Sequence, residues 1–144
     1  MVFESHSPAE TEEIAARFAA GLKGGTVVAF VGGLGMGKTA FVRGMAHGLH
    51  LSAEVSSPTF ALVHEYGGQP PLVHFDMYRV NGWEDLYSTG FFEYIDAGCI
   101  LAVEWSENIE AALPDSTIRV TITALGENDR RIMIEGDGYE DLSA

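Results

Sequence analysis

Between Val31 and Phe41 the chain places Gly32, Gly33, Gly35 and Gly37, followed directly by Lys38 and Thr39. Glycine this dense is costly in ordered structure, because each one gives up more backbone freedom on folding than any other residue. The spacing Gly32-x-x-x-x-Gly37-Lys38-Thr39 accounts for that cost. It is the pattern of a phosphate-binding loop, in which glycines let successive backbone N–H groups converge on phosphate oxygens. The expected nucleotide-binding set is therefore Gly33, Leu34, Gly35, Met36, Gly37, Lys38, Thr39 and Ala40. Lys38 is expected to reach the β- and γ-phosphates as an exposed lysine bearing no core. The Thr39 hydroxyl is expected to ligate Mg²⁺.

The flanks carry the pattern. "TVVAFVG" before it is a β-branched apolar run, short enough for a strand buried on both faces. "TAFVRGMAHGL" after it repeats Phe41, Val42, Met45 and Leu49 at helical spacing, so the helix N-terminus adds partial positive charge to the loop. Gly35, Gly37 and Ala40 also fit the G-x-G-x-x-A form of a dinucleotide fingerprint. That reading needs an acid ending a second strand about 20 residues on. Glu54 stands near that distance, but "LHLSAEVSSP" is a poor strand, and the lysine in the loop is left without a role. The triphosphate reading is preferred.

A Mg²⁺-dependent loop also needs acids, usually at the ends of buried strands. Asp76 after "PLVHF" and Glu104 after "CILAV" meet that condition, at strand ends where ligands bind in open α/β sheets. One would serve the metal shell and the other would orient water. An N-K-x-D guanine-reading motif and a D-x-x-G switch are both absent from the sequence, which disfavours a regulatory GTPase. Arg119, Arg130 and Arg131 fall in the C-terminal strands, leaving no evident arginine-bearing lid of the kind a small-molecule kinase uses. Such a kinase is the second reading, and a nucleotide-dependent binding module with little hydrolysis the third.

The remaining sequence must position these residues. Its 144 residues, 47% hydrophobic, suit one domain spanning 1–144, with the acidic end "DGYEDLSA" (residues 137–144) expected to fray. "SPAETEEIAARFAAGL" predicts a helix with Ser7 as N-cap, Pro8 at its first position and Glu10 completing a capping box. Ile14, Phe18 and Leu22 mark one face of it, and Gly24 and Gly25 its end. "FALVHEY" and "PLVHFDMY" read as strands joined by "GGQPP", "WEDLYSTGFFEYI" as a helix or two short helical turns, and "CILAVEW" as a buried strand. "STIRVTITAL" and "DRRIMIEG" read as a C-terminal β-hairpin across "GEND". The fold class is α/β, a P-loop NTPase-like mixed sheet flanked by helices.

Composition bounds the partners. Eight Lys and Arg against 21 Asp and Glu give a formal charge of −13, which repels a polyphosphate backbone and argues against a direct grip on nucleic acid. "MVFESHSPAE" lacks the basic and apolar regions of a signal peptide, no apolar run is long enough to span a bilayer, and the single Cys99 suits a reducing compartment. The expected location is the cytoplasm.

"SSPTFALVHEY", "HFDMYRV" and "LAVEWSE", in that order after the glycine loop, resemble the TsaE family of bacterial ATPases in tRNA threonylcarbamoyladenosine biosynthesis. The likeness spans nearly the whole chain. It implies an enzyme that binds and hydrolyses ATP with Mg²⁺ to drive turnover of a threonylcarbamoyltransferase complex of TsaD- and TsaB-like proteins. Those partners, not this chain, would hold the tRNA modified at position 37. The resemblance places Thr59 of "SPTF" in a loop sensing the γ-phosphate and Mg²⁺, gives Asp76 and Glu104 the acidic positions with Glu104 in the Mg²⁺ shell, and adds Lys38 to the catalytic set. Tyr78 and Arg79 complete "HFDMYR". Trp105 is expected to pack in the core, His47 and His50 to lie at the surface, and His64 and His74 to be structural. The family usually has an acid directly after the first loop glycine and a small residue three further on. Here those positions are Gly33 and Met36.

Overall fold

A computed structural model of the chain describes residues 1–31, 37–51 and 63–136. Among these residues seven strands form one sheet: β1 (Val2–Ser5), β2 (Val27–Val31), β3 (Val63–Gly68), β4 (Pro71–Asp76), β5 (Ile100–Glu104), β6 (Ile118–Ala124) and β7 (Arg130–Glu135). Their spatial order is β1-β7-β6-β2-β5-β4-β3. The four central strands run parallel, β2 pairing with β5 and β6, and β4 with β5. The antiparallel pairs are β3 with β4, β6 with β7, and β1 with β7. This is the mixed sheet with a C-terminal hairpin that the sequence pattern predicts. β1 was not predicted: four residues carry little periodic signal, and the pairing with β7 that stabilises them lies at the other end of the chain.

Both faces of the sheet are covered, so the central strands read as continuous apolar runs. Helix α1 (Pro8–Ala20) and helix α2 (Lys38–Gly48) pack on one face over Val28, Phe30, Leu72, Ile100 and Ala102. Helices α3 (Trp83–Ser88) and α4 (Phe91–Asp96) cover the other with a 3₁₀ segment, Ser106–Ala112, over Val73, Phe75, Leu101 and Val103. The side chains of β4 and β5 thus alternate between two separate cores.

Helix α1 starts as expected, with the Glu10 N–H donating to Ser7 Oγ at 3.1 Å. The Glu10 carboxylate reaches one residue further out than the standard box and accepts the His6 N–H at 2.5 Å. The helix stops at Ala20, before Gly24, because the Gly21 N–H closes back onto the Phe18 carbonyl and the Leu22 N–H onto the Ala19 carbonyl. Helices α1 and α2 approach closely through Gly44 and Gly48, where a Cβ would collide with the Glu12 and Ala16 backbone. That contact fixes the axis of the helix opening on Lys38. "WEDLYSTGFFEYI" forms two short helices, separated at Gly90, which adopts a left-handed conformation (φ 80°).

Candidate functional site

Lys38 is the first residue of α2, and Gly37 caps that helix in the left-handed conformation (φ 93°), which favours glycine. Among the described residues no side chain caps this helix start; the Gly37 carbonyl accepts the Phe41 N–H at 3.0 Å. The N-terminal partial charge of α2 is therefore presented where the glycine loop arrives. Lys38 is 4% exposed, not the exposed lysine expected from the sequence. It opens a helix that begins close after the sheet's central strand, so its stem is enclosed. Thr39 and Ala40 are half-buried beside it. Gly33, Leu34, Gly35 and Met36 lie outside the described residues, as do Thr59 and Glu54.

The two acids come from register. Asp76 pairs with Glu104 across the parallel β4–β5 ladder, each the last residue of its strand. Period-two alternation puts Leu72, His74 and Asp76 on one face of β4, and Ile100, Ala102 and Glu104 on the same face of β5. Leu72, Ile100 and Ala102 belong to the core beneath α2, so both acids lie on the Lys38 side of the sheet. Glu104 is 7% exposed; Asp76 is half-buried and its Oδ1 accepts the Tyr78 N–H at 2.9 Å.

His74 joins them. Fully buried, it donates from Nε2 to Glu104 Oε2 at 2.8 Å, a diagonal neighbour because His74 itself pairs with Ala102. Its Nδ1 is buried with no hydrogen-bond partner among the described residues. The arrangement suits the Nε2–H tautomer, since an unpaired acceptor is left rather than an unpaired donor. The sequence reading as a structural histidine missed this contact. The available signal was the parity it shares with Asp76.

The segment after Glu104 is held from both sides. Trp105 adopts φ 59°, uncommon for a non-glycine residue, and turns the chain into the 3₁₀ segment. It is half-buried against the α3–α4 core, as expected, and meets the Tyr78 ring edge-on at 4.9 Å. Ser106 Oγ donates to the Phe30 carbonyl in β2 at 3.2 Å, while the Met77 N–H donates to the Glu104 carbonyl at 3.0 Å. The stretch after β4 and the stretch after β5 are thereby locked to each other and to the strand that feeds the glycine loop. Tyr78 and Arg79 are exposed.

A cavity of about 140 Å³ borders Gly37 and Ala40 on the opposite flank of the helix start, between Ser7 and Thr11 of the α1 entry and Glu127, Asn128 and Arg130 of the β6–β7 turn. Arg130 holds that turn by donating from Nη1 to the Gly126, Glu127 and Asp129 carbonyls. The sequence reading gave these residues no part in the site, and their distance along the chain from Gly37 gave no signal. His6, which precedes Ser7, pairs with Asp129 at 2.9 Å, and that hydrogen bond and charge raise its pKa above 6.5. His47 and His50 are exposed, as expected.

A buried parallel strand feeding a helix that opens on Gly37-Lys38-Thr39, with acids ending the neighbouring parallel strands, defines a P-loop NTPase-like α/β domain. Residues 5–132 match the family model described as threonylcarbamoyl adenosine biosynthesis protein TsaE, and the chain belongs to that family. It is 38% identical over 139 residues to the tRNA threonylcarbamoyladenosine biosynthesis protein TsaE of Bacillus subtilis, covering 94% of this chain and 87% of that protein. Identity to the protein of the same name from Treponema pallidum is 36% over 113 residues, 78% of this chain and 84% of the other. A crystal structure of Bacillus subtilis YdiB superposes with a TM-score of 0.74 at 34% identity, covering 92% of this chain and 82% of that one. The family's role is in tRNA threonylcarbamoyladenosine biosynthesis. Among the described residues no helix is long and apolar enough to cross a membrane.

Proposed function

We propose that the chain binds and hydrolyses ATP with Mg²⁺ to drive turnover of a threonylcarbamoyltransferase complex. The observation that carries this reading is the common face of Lys38, Asp76 and Glu104, set by the register of β4 and β5 beneath α2.

The donor set fits the group. A helix N-terminus opened by a left-handed glycine, with a lysine at its first position, suits a polyphosphate. A nucleotide-borne Mg²⁺ takes most of its ligands from phosphate and water, so one or two protein oxygens suffice. Thr39 and Glu104 would supply them, Glu104 directly or through water. The metal would neutralise charge developing on the β- and γ-phosphates. Lys38 would hold those phosphates, Asp76 would orient the attacking water, and Thr59 would sense the γ-phosphate. Backbone groups of Gly33, Leu34, Gly35, Met36, Gly37 and Ala40 would complete the cradle. The cavity beside Gly37 and Ala40 suits the nucleoside end. His74 fixes the rotamer of Glu104, which matters because misplacement of a metal-shell carboxylate is felt directly in rate.

The partners in this reading are TsaD- and TsaB-like proteins of the cytoplasm, with the tRNA held by them, as the chain's charge of −13 favours. The test is phosphate release from ATP with and without the purified partners. Stimulated release is expected. A chain that binds ATP and partners without releasing phosphate would be a binding module, and one that phosphorylates an added metabolite would be a kinase. Either result would overturn the reading.

A further inference from the structure

The second face of the sheet carries a surface that the nucleotide site does not use. Trp83 and Tyr87 on α3 are 51% and 60% exposed, although large aromatic side chains are normally drawn inward. They form a ladder with the half-buried Phe92 of α4: the Trp83 and Phe92 rings stack at 6.4 Å and 13°, and Tyr87 lies 5.4 Å from Phe92. Beside Trp83 a small cavity of about 90 Å³ opens between α3 and the 3₁₀ segment, lined by Leu86, Asn108, Ile109 and Ala112. An exposed aromatic ladder next to a concave socket is the anatomy of an interface anchor site.

Charge decides what fits it. From Val80 to Ile118, the stretch that forms α3, α4 and the 3₁₀ segment, there is no Lys, Arg or His. The same stretch holds Glu84, Asp85, Glu93, Asp96, Glu107 and Glu110, all exposed. Arg119 meets Glu110 at its far boundary, and Arg79 precedes it. Electron-rich ring faces surrounded by carboxylates attract guanidinium and ammonium groups, by cation–π contact at the rings and Coulomb attraction at the rim.

The surface is also wired to the nucleotide site. Asn108, in the socket wall, donates from Nδ2 to the Met77 and Tyr78 carbonyls at 2.9 and 3.2 Å. These follow Asp76 directly, and Tyr78 packs on Trp105, which follows Glu104.

We infer that the Trp83–Tyr87 face is where the chain docks a basic protein surface of the transferase complex, an arginine or lysine of that partner packing on the exposed Trp83 and Tyr87 rings within the acidic rim. This rests on the proposed function. Binding there bears on the backbone that follows Asp76 and precedes the 3₁₀ segment, so partner contact and the acids at the strand ends act on one another.

The test uses the full chain, the purified TsaD- and TsaB-like proteins, and ADP. Affinity is measured for the unsubstituted chain, for Trp83→Ala and for the double variant Glu84→Lys, Glu93→Lys, at two salt concentrations. Nucleotide affinity and circular dichroism serve as controls for folding. Trp83→Ala is expected to weaken partner binding ~30-fold or more, the scale of a central aromatic anchor, with ADP affinity unchanged. The charge reversal is expected to weaken binding at low salt and flatten its salt dependence. If the unsubstituted chain binds the partners and both variants bind equally well, the docking face is wrong while the proposed function stands. If the unsubstituted chain does not bind them, both fall. Binding of tRNA alone, lost in Trp83→Ala, would make this a nucleic-acid surface and overturn the assignment.

Discussion

His74 and Glu104, thirty residues apart in sequence, meet as a buried pair at 2.8 Å, because the β4–β5 register sets them diagonally on one face of the sheet. His74→Phe keeps much of the ring volume but removes the donor, leaving a buried carboxylate oxygen without that bond. Stability should fall by about 1–3 kcal/mol, read as a lower urea midpoint at unchanged slope. Adding Glu104→Leu should restore most of it, since replacing both polar partners avoids the orphaned group. An unchanged midpoint in the single variant would show that the pair contributes nothing to stability.

The same pair dictates how Glu104 should be tested. Glu104→Gln retains an oxygen to accept from His74 while removing the charge. We expect phosphate release to fall ~10–100-fold with little change in ATP affinity. Equal losses in both would assign Glu104 to structure instead of metal chemistry.

Because Lys38 is enclosed, Lys38→Ala would leave a void as well as remove a charge, so Lys38→Met is the cleaner variant. It should abolish ATP binding at concentrations that saturate the unsubstituted chain, while circular dichroism shows that the chain still folds. Retained ATP-dependent activity in a reconstituted tRNA-modification assay would sink the phosphate role of this lysine.

Gly48→Ala tests the contact that aims α2. Alanine favours the helix by about 1 kcal/mol, but its Cβ would meet the backbone oxygen, Cα and carbonyl carbon of Ala16, none of which is the end of a flexible side chain. Overpacking at about 1–3 kcal/mol should win, lowering the melting temperature. A rise would mean that the two helices separate easily.

His6 gives a pH readout where the entry of α1 meets the β6–β7 turn. Its pKa is raised from 6.5 by the hydrogen bond and charge of Asp129, with smaller contributions from Glu10 and Glu4. The folded chain therefore holds the proton more tightly than the unfolded one. The stabilisation is complete below pH 6.5 and is lost as pH rises through the raised value. The NMR titration of His6 should move back toward 6.5 in Asp129→Asn. No movement would remove Asp129 as the cause.

What could be read in advance was local. Ser7 and Pro8 start α1 because a cap is a matter of a few adjacent residues, whereas its stop at Gly21 was missed in favour of Gly24 and Gly25. The strand-end acids were legible because a short apolar run closed by a carboxylate is a contiguous pattern, and the register then aligned Asp76 with Glu104.

Sequence alone determined most of the elements and where the candidate residues fall on them: Gly37-Lys38-Thr39 between a buried strand and a helix, the two acids at strand ends, and the C-terminal hairpin. Tertiary structure decided which of these share a face. It brought His74 to Glu104, folded the β6–β7 turn against Gly37, recruited β1 as an edge strand, enclosed Lys38, and left Trp83 and Tyr87 at the surface. The reason is physical: caps, turns and periodicity act over a few residues, while strand order and register join residues far apart in the chain, and no local spacing encodes that.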